Sequence, residues 1–483
     1  MTDAISRRAF LQKSALLAAS VAAAPYARAL GANDDVRVGV VGFRSKGMQH
    51  IEVFKKLKGV RVVALCDVDS EVMDKALKKH FSDGTPKPKT FTDVRKMLED
   101  KEIDAICVAT PNHWHAPITV WACQAGKDVY VEKPCSHTVW EGRQMIKAAR
   151  KYNRIVQVGM QSRSDPGLKE VFQYINEGKL GDIQYVRGFY YNIRKSIGKV
   201  SGPQTPPPSV DYDLWLGPAP KAPLMRKELH YDWHWQWPYG NGELGNNGVH
   251  MLDIATWALG IHEFPSRVIS LGGRFVIEDD AETPNTHVTY YDYKPYPIVS
   301  EIYNLPRWTG DVAEDNFYGH RHGVQVKCRD EFYVGYLDGG WVYDNDGKRV
   351  KQYVGDGGGS HHQNFIDAVR SRKADDLNAE VAKGHLSAGL CHLGNISHRI
   401  GVPAKGPKIK EAFSGIPLLA DSTERFHESL LMNSADMLKT PRILGPWLTF
   451  DNASEKFTGE KAAEANELLT YKYRAGFEIP EEV

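Results

Sequence analysis

Short apolar runs alternating with helical patterns in the first third of the chain constrain its fold more than any other feature. Val36-Arg37-Val38-Gly39-Val40-Val41 is a β-branched, nearly continuous apolar run, as expected for a strand buried on both faces of a parallel sheet. It leads straight into Gly42-Phe43-Arg44-Ser45-Lys46-Gly47, and a helical pattern at Met48, Ile51, Phe54 and Lys55 follows. A second strand, Val60–Cys66, ends at Asp67. The alternation continues with a strand over 104–110, a helix over 115–125, a strand over 128–132, a helix to Tyr152 and a strand over 155–158. Parallel strands joined by helices need crossover connections of one hand, which build a doubly wound sheet. The sequence therefore predicts an α/β chain in which residues 35–159 form a dinucleotide-binding Rossmann domain.

In such sheets ligands sit beyond the carboxyl ends of the strands. Those ends hold the glycine turn, Asp67, Thr110-Pro111-Asn112-His113, Glu132-Lys133-Pro134 and Gly159-Met160-Gln161-Ser162-Arg163. The turn has the spacing of G-x-G-x-x-G but carries Arg44 at the second glycine, so that side chain must either turn away or reach the cofactor. Asp67 lies where an acid grips a ribose 2′-hydroxyl, which favours NAD; Arg44 pulls toward NADP, since a guanidinium can take a 2′-phosphate. The cofactor candidates are Gly42, Phe43, Arg44, Gly47, Asp67, Thr110, Pro111, Asn112, Glu132, Lys133 and Gln161.

Four motifs in order resemble the glucose-fructose oxidoreductase, inositol dehydrogenase and MocA (Gfo/Idh/MocA) family of nicotinamide-dependent sugar enzymes. They are Val38-Gly39-Val40-Val41-Gly42, Ala109-Thr110-Pro111-Asn112-His113-Trp114-His115, Glu132-Lys133-Pro134 and Gly248-Val249-His250-Met251-Leu252-Asp253. A later stretch, His362-Gln363-Asn364-Phe365-Ile366-Asp367-Ala368-Val369-Arg370, is similar to members with an extended C-terminal domain. The resemblance implies a bound NAD or NADP, with His115 added to its contacts. It also implies a small carbohydrate substrate and self-association as a dimer or tetramer through an open sheet face. Lys133 is then the residue that holds or deprotonates a sugar hydroxyl, and His250 the acid–base group. Most relatives carry an aspartate four residues before that histidine, whereas this chain has Asn246, and an amide cannot relay a proton. Asp253 is kept as an orienting residue or a metal-free structural acid, and is also among the substrate candidates.

Three readings stay open: sugar oxidoreduction, nicotinamide-dependent glycoside cleavage through transient oxidation, and carbohydrate binding without catalysis. A zinc site from His250, Asp253, His320 and His322 has no recognised ligand spacing, so no metal is expected.

From residue 160 to 400 longer alternating strands, such as Ile183–Tyr191, suggest an α+β domain with a large open, mostly antiparallel sheet. A proline-rich loop over 203–223 is expected to wrap a neighbour or border the cleft. Aromatics stand at every second position in Tyr231-Asp232-Trp233-His234-Trp235-Gln236-Trp237-Pro238-Tyr239. In an extended segment this spacing stacks Trp233, Trp235 and Trp237 on one side, as a sugar platform or as core. Arg163 is a further substrate candidate. Residues 401–483 read as an extended arm with short helices near 424–432 and 460–469.

Arg7-Arg8 ahead of an apolar run from Ala15 to Ala24, then Ala27-Arg28-Ala29, read as a twin-arginine export signal over residues 1–30, directing the protein to the periplasm. That run is about half of the roughly 20 residues a membrane span needs, so no anchor is expected. With 61 basic against 60 acidic residues and no block of like charge, nucleic acid is not an expected partner. The six cysteines lack both disulfide density and C-x-x-C spacing, and read as small buried hydrophobes.

Overall fold

The computed structural model describes residues 35–483. The expected export signal, residues 1–30, lies outside them. Six strands form the first sheet: β1 (Val36–Val41), β2 (Val60–Cys66), β3 (Lys89–Phe91), β4 (Ala105–Val108), β5 (Asp128–Val131) and β6 (Val156–Val158). Their order is β3-β2-β1-β4-β5-β6, parallel throughout, as the alternation predicts. The apolar runs form strands because helices cover both faces. Val36, Val38 and Val40 pack with Ile51 and Phe54 on one face, and Val41, Ile106 and Val108 with Ile118 and Val139 on the other. Side-chain caps fix where several helices begin: Asp69, Asp93 and Asp165 each accept a backbone N–H of the following turn, and Thr138 with Glu141 forms a capping box.

The second sheet has twelve strands. Its centre is β7 (Ile183–Tyr191), β8 (Arg267–Gly273), β9 (Thr286–Tyr291), β10 (Ile298–Tyr303), β11 (His322–Cys328), β12 (Glu331–Tyr336), β13 (Gly339–Asp344) and β14 (Arg349–Val354). Every pair is antiparallel except β7 with β10, where Val186 lies opposite Ile298. The predicted mostly antiparallel sheet is therefore observed.

Two boundaries read from the sequence need correction. The helix His361–Ser371 does not stay with the second sheet: Phe365, Ile366 and Val369 pack against Val36, Val38 and Phe54 of the first. Arg370 Nη2 donates to the Gly59 carbonyl at 2.9 Å, and Arg372 pairs with Asp128. The first domain thus borrows a helix from far along the chain.

Residues 401–483 are not a loose arm. They add β15 (Val402–Ala404), β16 (Arg442–Leu444), β17 (Leu448–Asp451) and β18 (Lys456–Thr458) to the large sheet. The helix Pro417–Met432 lays Leu419, Phe426 and Leu430 over Val288, Val299 and Tyr303. The sheet face expected to be open for self-association is therefore covered by the chain itself. All six cysteines are buried free thiols, and among the described residues no helix is long and apolar enough to cross a membrane.

The covering helix should be integral to stability. Phe426→Ala removes a ring with no solvent exposure and is expected to cost about 3–5 kcal/mol, read as a fall in the denaturant midpoint; an unchanged midpoint would mean that the helix is not packed as described.

Candidate active site

The carboxyl ends of β1, β2, β4 and β5 open on a cavity of about 460 Å³, whose opposite wall comes from Tyr231, Trp233, His234, Asn246, Asn247 and His250. Its size suits a small-molecule or cofactor site. Glycine is required at both retained positions of the turn. Gly42 has φ +74°, and a Cβ there would lie 2.9 Å from the Thr110 backbone; a Cβ at Gly47 would come within 2.2 Å of the Gly42 carbonyl oxygen. Arg44, at the missing glycine, is exposed on the cavity rim.

Phe43 meets the cavity differently from the expectation: its ring is wholly buried in the sheet core, and its N–H donates to Asp67 Oδ2 at 2.9 Å. Asp67 also accepts the Asp69 N–H at 3.0 Å, while burial pushes its carboxyl pKa up to about 6. Thr110 Oγ1 is buried against the cavity with no partner. Pro111 precedes the helix Asn112–Gln124, and Asn112 Nδ2 is committed to Asn241 Oδ1 at 2.9 Å. His115 cannot serve the cofactor through either ring nitrogen: Nδ1 lies 2.7 Å from the Pro134 carbonyl and Nε2 2.8 Å from the Thr110 carbonyl. It braces two strand-end turns instead.

Glu132 faces inward. Its carboxylate meets His50 Nε2 at 2.9 Å and accepts the Lys133 N–H at 3.2 Å, and His50 Nδ1 lies 2.8 Å from His362 Nε2. Burial opposes ionisation of Glu132, yet His50 and the charges of Lys46 and Lys133 hold it far below the usual carboxylate range. Gln161 lines the cavity and donates to the Tyr130 hydroxyl at 3.2 Å.

Lys133, ahead of a cis Pro134, sends Nζ across the cleft to the Asn246 carbonyl at 2.6 Å and to Asn246 Oδ1 at 3.2 Å. Burial pulls its pKa below that of an ordinary lysine, against the opposing pull of Glu132 and Glu243. Asn246 sits in a π-helical turn, Leu244–Gly248, that leads into the helix Val249–Ala258. His250 lies in the first turn of that helix and lines the same cavity, and its Nδ1 has no partner among the described residues. Burial, with Lys133 nearby, pushes its pKa down to about 3, so the ring is neutral near pH 7 and offers a lone pair as a hydrogen-bond acceptor. Lys133 and His250 thus line one cavity.

Other substrate candidates lie elsewhere. Arg163 and Asp253 pair with each other at 2.9 Å, Asp253 accepts the Ser387 hydroxyl at 2.7 Å, and both acid and guanidinium are buried outside the cavity. The aromatic strip is not extended. Residues Asp232–Trp235 form a 3₁₀ turn, and three residues per turn send alternate rings to different places. Trp233 reaches the cavity, whereas Trp235 lies under Arg194 and Trp237 under Arg399. Among the described residues no cluster could hold a metal ion.

One feature escapes the sequence reading, whereas the proline-rich loop does border the cleft as expected. Glu243, in a stretch that reads only as a loop, is buried beside Asn246 and accepts Arg194 Nε at 2.7 Å and Nη2 at 3.0 Å; being the acid within one helical turn of Asn246 was the available signal. The proline-rich excursion also reaches back to the first domain. Ser70 N–H donates to the Ser209 carbonyl and Asp211 N–H to the Val68 carbonyl, each at 2.9 Å, and His230 Nε2 lies 3.0 Å from Asp69 Oδ2. This strap borders the cleft beside Asp67.

Residues 36–160 match the profile of the Gfo/Idh/MocA oxidoreductase family, NAD-binding Rossmann fold, and residues 175–292 match that of its C-terminal alpha/beta domain. The chain belongs to the Gfo/Idh/MocA family. Its first domain is thus an NAD(P)-binding Rossmann domain, and the turn glycines, Asp67 and the unpartnered Thr110 hydroxyl fit such a ligand. Solved structures share the fold. The WlbA dehydrogenase of Bordetella pertussis, in complex with NADH and UDP-GlcNAcA, aligns over 76% of this chain and 98% of its own at a TM-score of 0.56 and 18% identity. GenD2 from gentamicin A biosynthesis, in complex with NAD, aligns over 75% and 95% at 0.53 and 19%.

Among curated family relatives, a glycosyl hydrolase family 109 protein of Shewanella baltica is 31% identical over 163 residues, covering 32% of this chain and 35% of the relative. An alpha-N-acetylgalactosaminidase of Shewanella oneidensis is 31% identical over 161 residues, with the same coverage. The match thus spans about a third of the relatives' length.

Asp67 gives the site a measurable pH dependence. Only the carboxylate can accept both hydroxyls of a ribose, and its pKa of about 6 puts that form in the majority above pH 6. Dinucleotide affinity of the stripped protein, measured by calorimetry, should hold from pH 8 to 7 and fall as pH drops through 6, while Asp67→Asn should bind more weakly and lose that dependence.

Proposed function

We propose that this protein oxidises a hydroxyl of a sugar or sugar derivative, using a retained nicotinamide dinucleotide, with Lys133 and His250 handling the proton. The observation that carries this reading is the convergence of Lys133 Nζ and the His250 ring on the cavity built by the glycine turn and Asp67. When bound, the dinucleotide supplies hydride transfer at the sugar carbon. Lys133 Nζ donates a hydrogen bond to the reacting hydroxyl and stabilises negative charge developing on its oxygen. His250, neutral and short of a partner, accepts the hydroxyl proton on its ring. Trp233 offers an apolar face to the sugar C–H surface. Asp67 favours NAD over NADP, with Arg44 exposed at the cavity rim.

A second reading is glycoside cleavage by transient oxidation. Oxidising a ring carbon acidifies a neighbouring C–H; elimination of the leaving group, addition of water and return of the hydride then leave no net redox change. The strap supports it, since a dinucleotide held behind 203–239 must be restored within each cycle. The relatives' names point the same way. The twin-arginine motif supports export of the folded, loaded protein to the periplasm. Assembly through the large sheet would have to displace residues 404–444, so we infer that any self-association uses another surface.

Unfolding the purified protein should release one dinucleotide, identifiable by mass spectrometry, and its absence together with failure to bind NAD would sink both enzymatic readings. An aryl α-N-acetylgalactosaminide separates them: aglycone release without lasting absorbance at the reduced-nicotinamide band supports cleavage, and accumulation of reduced cofactor supports oxidation. Lys133→Ala and His250→Ala should each lower turnover about 10²- to 10⁴-fold with the dinucleotide still bound; undiminished turnover would remove the catalytic assignment.

A further inference from the structure

Lys133 meets an amide where an ammonium would most favourably meet a carboxylate, and the carboxylate stands one residue further back. Glu243 is 1% exposed, and its Oε1 accepts from Asn246 Nδ2 at 3.3 Å and from the Asn247 amide, while Arg194 grips both oxygens. A carboxylate only accepts hydrogen bonds, so it can face only the NH₂ end of an amide. That fixes which end of Asn246 is which, and the other end, Oδ1, faces Lys133 Nζ at 3.2 Å. With the amide reversed, an NH₂ group would point at an ammonium, donor against donor.

We propose that Glu243 is a positioning residue for Lys133, acting through the Asn246 amide that it orients. The proposal rests on the reading of Lys133 as the group that works on the sugar hydroxyl, but its charge and its aim can be measured without turnover. Lys133 is faced by Glu132 from its own strand end, by Glu243 and Arg194 from the far wall, and by Lys46 from the glycine turn; His234 and His250 stand near it as rings driven toward neutrality by burial. Glu132 and Glu243 favour the ammonium, while Lys46 and Arg194 disfavour it. Removing Glu243 therefore takes away one of two supporting charges and releases the amide together. Arg194 acts on Lys133 with the opposite sign, but it is also the cation that keeps Glu243 ionised, so a control must retain its charge.

The test reads the pH midpoint of Lys133 acylation by acetic anhydride, followed by mass spectrometry on the loaded protein, alongside kcat and KM. Glu243→Gln should lower the midpoint by about one pH unit and reduce kcat about ten- to a hundredfold with KM little changed. Adding Asn246→Asp to Glu243→Gln sets a carboxylate directly on Nζ and should restore most of both. Arg194→Lys keeps a cation on the Glu243 carboxylate and should leave the midpoint close to the wild-type value; a merely structural role predicts that breaking the bidentate pair lowers it as Glu243→Gln does. Should Glu243→Gln fail to fold, Glu243→Asp, shortened by one methylene, should show the same downward shift in smaller measure. An unchanged midpoint in the Glu243 variant, or a double variant no better than Glu243→Gln alone, would overturn the proposal. If the wild-type protein turns over no sugar, the functional reading fails while the acylation midpoints still decide the role of Glu243.

Discussion

The hydrogen bonds from Lys133 Nζ to Asn246 span the cleft between the two domains, and the organisation of the site depends on them. The lysine leaves the end of β5, a strand of the first sheet, and its acceptor belongs to the π turn that opens the His250 helix. With the Asn112–Asn241 and His230–Asp69 hydrogen bonds, this contact ties the wall that carries the glycine turn to the wall that carries the imidazole. Were the two walls to separate, Lys133 would lose its acceptor and regain water, and the depression of its pKa by burial would vanish with it.

Around that contact, the cleft manages buried charge by pairing rather than by exposure. Glu132 is held by His50, which is held in turn by His362 on a helix contributed from the other end of the sequence. Glu243 is held by Arg194. Buried carboxylates without such partners would take up protons or loosen the packing. Asp67 is the exception: its partners are two backbone N–H groups with no side-chain cation, which suits a carboxylate kept for a visiting pair of hydroxyls.

The first sheet was legible because its signals are local. Each strand is one apolar run, each crossover one helical pattern, and the glycine turn and Asp67 fall at fixed offsets from them. Lys133 and His250 were legible through motifs at strand and helix ends. What sequence reading missed depends on distant packing or on local winding. The 231–239 strip has the right residues for an extended platform, but a 3₁₀ turn scatters its rings. Arg163 and Asp253 look like site residues until the fold brings them face to face. Residues 401–483 have weak periodicity because β16 and β17 take their register from β8, which is far away in the chain. Glu243 stood three residues from Asn246 and was passed over because nothing in a linear reading shows that it is buried.

The helix His361–Ser371 has a consequence for how the polypeptide is made. Phe365, Ile366 and Val369 complete an apolar face on the first sheet that residues 35–159 cannot cover alone. A nascent chain emerging from the ribosome must carry that uncovered valine surface through the synthesis of some two hundred further residues. The apolar face of the first sheet is therefore completed only when that later helix has been made. Maturation of the nucleotide fold is consequently a late event in the life of the chain, coupled to its completion.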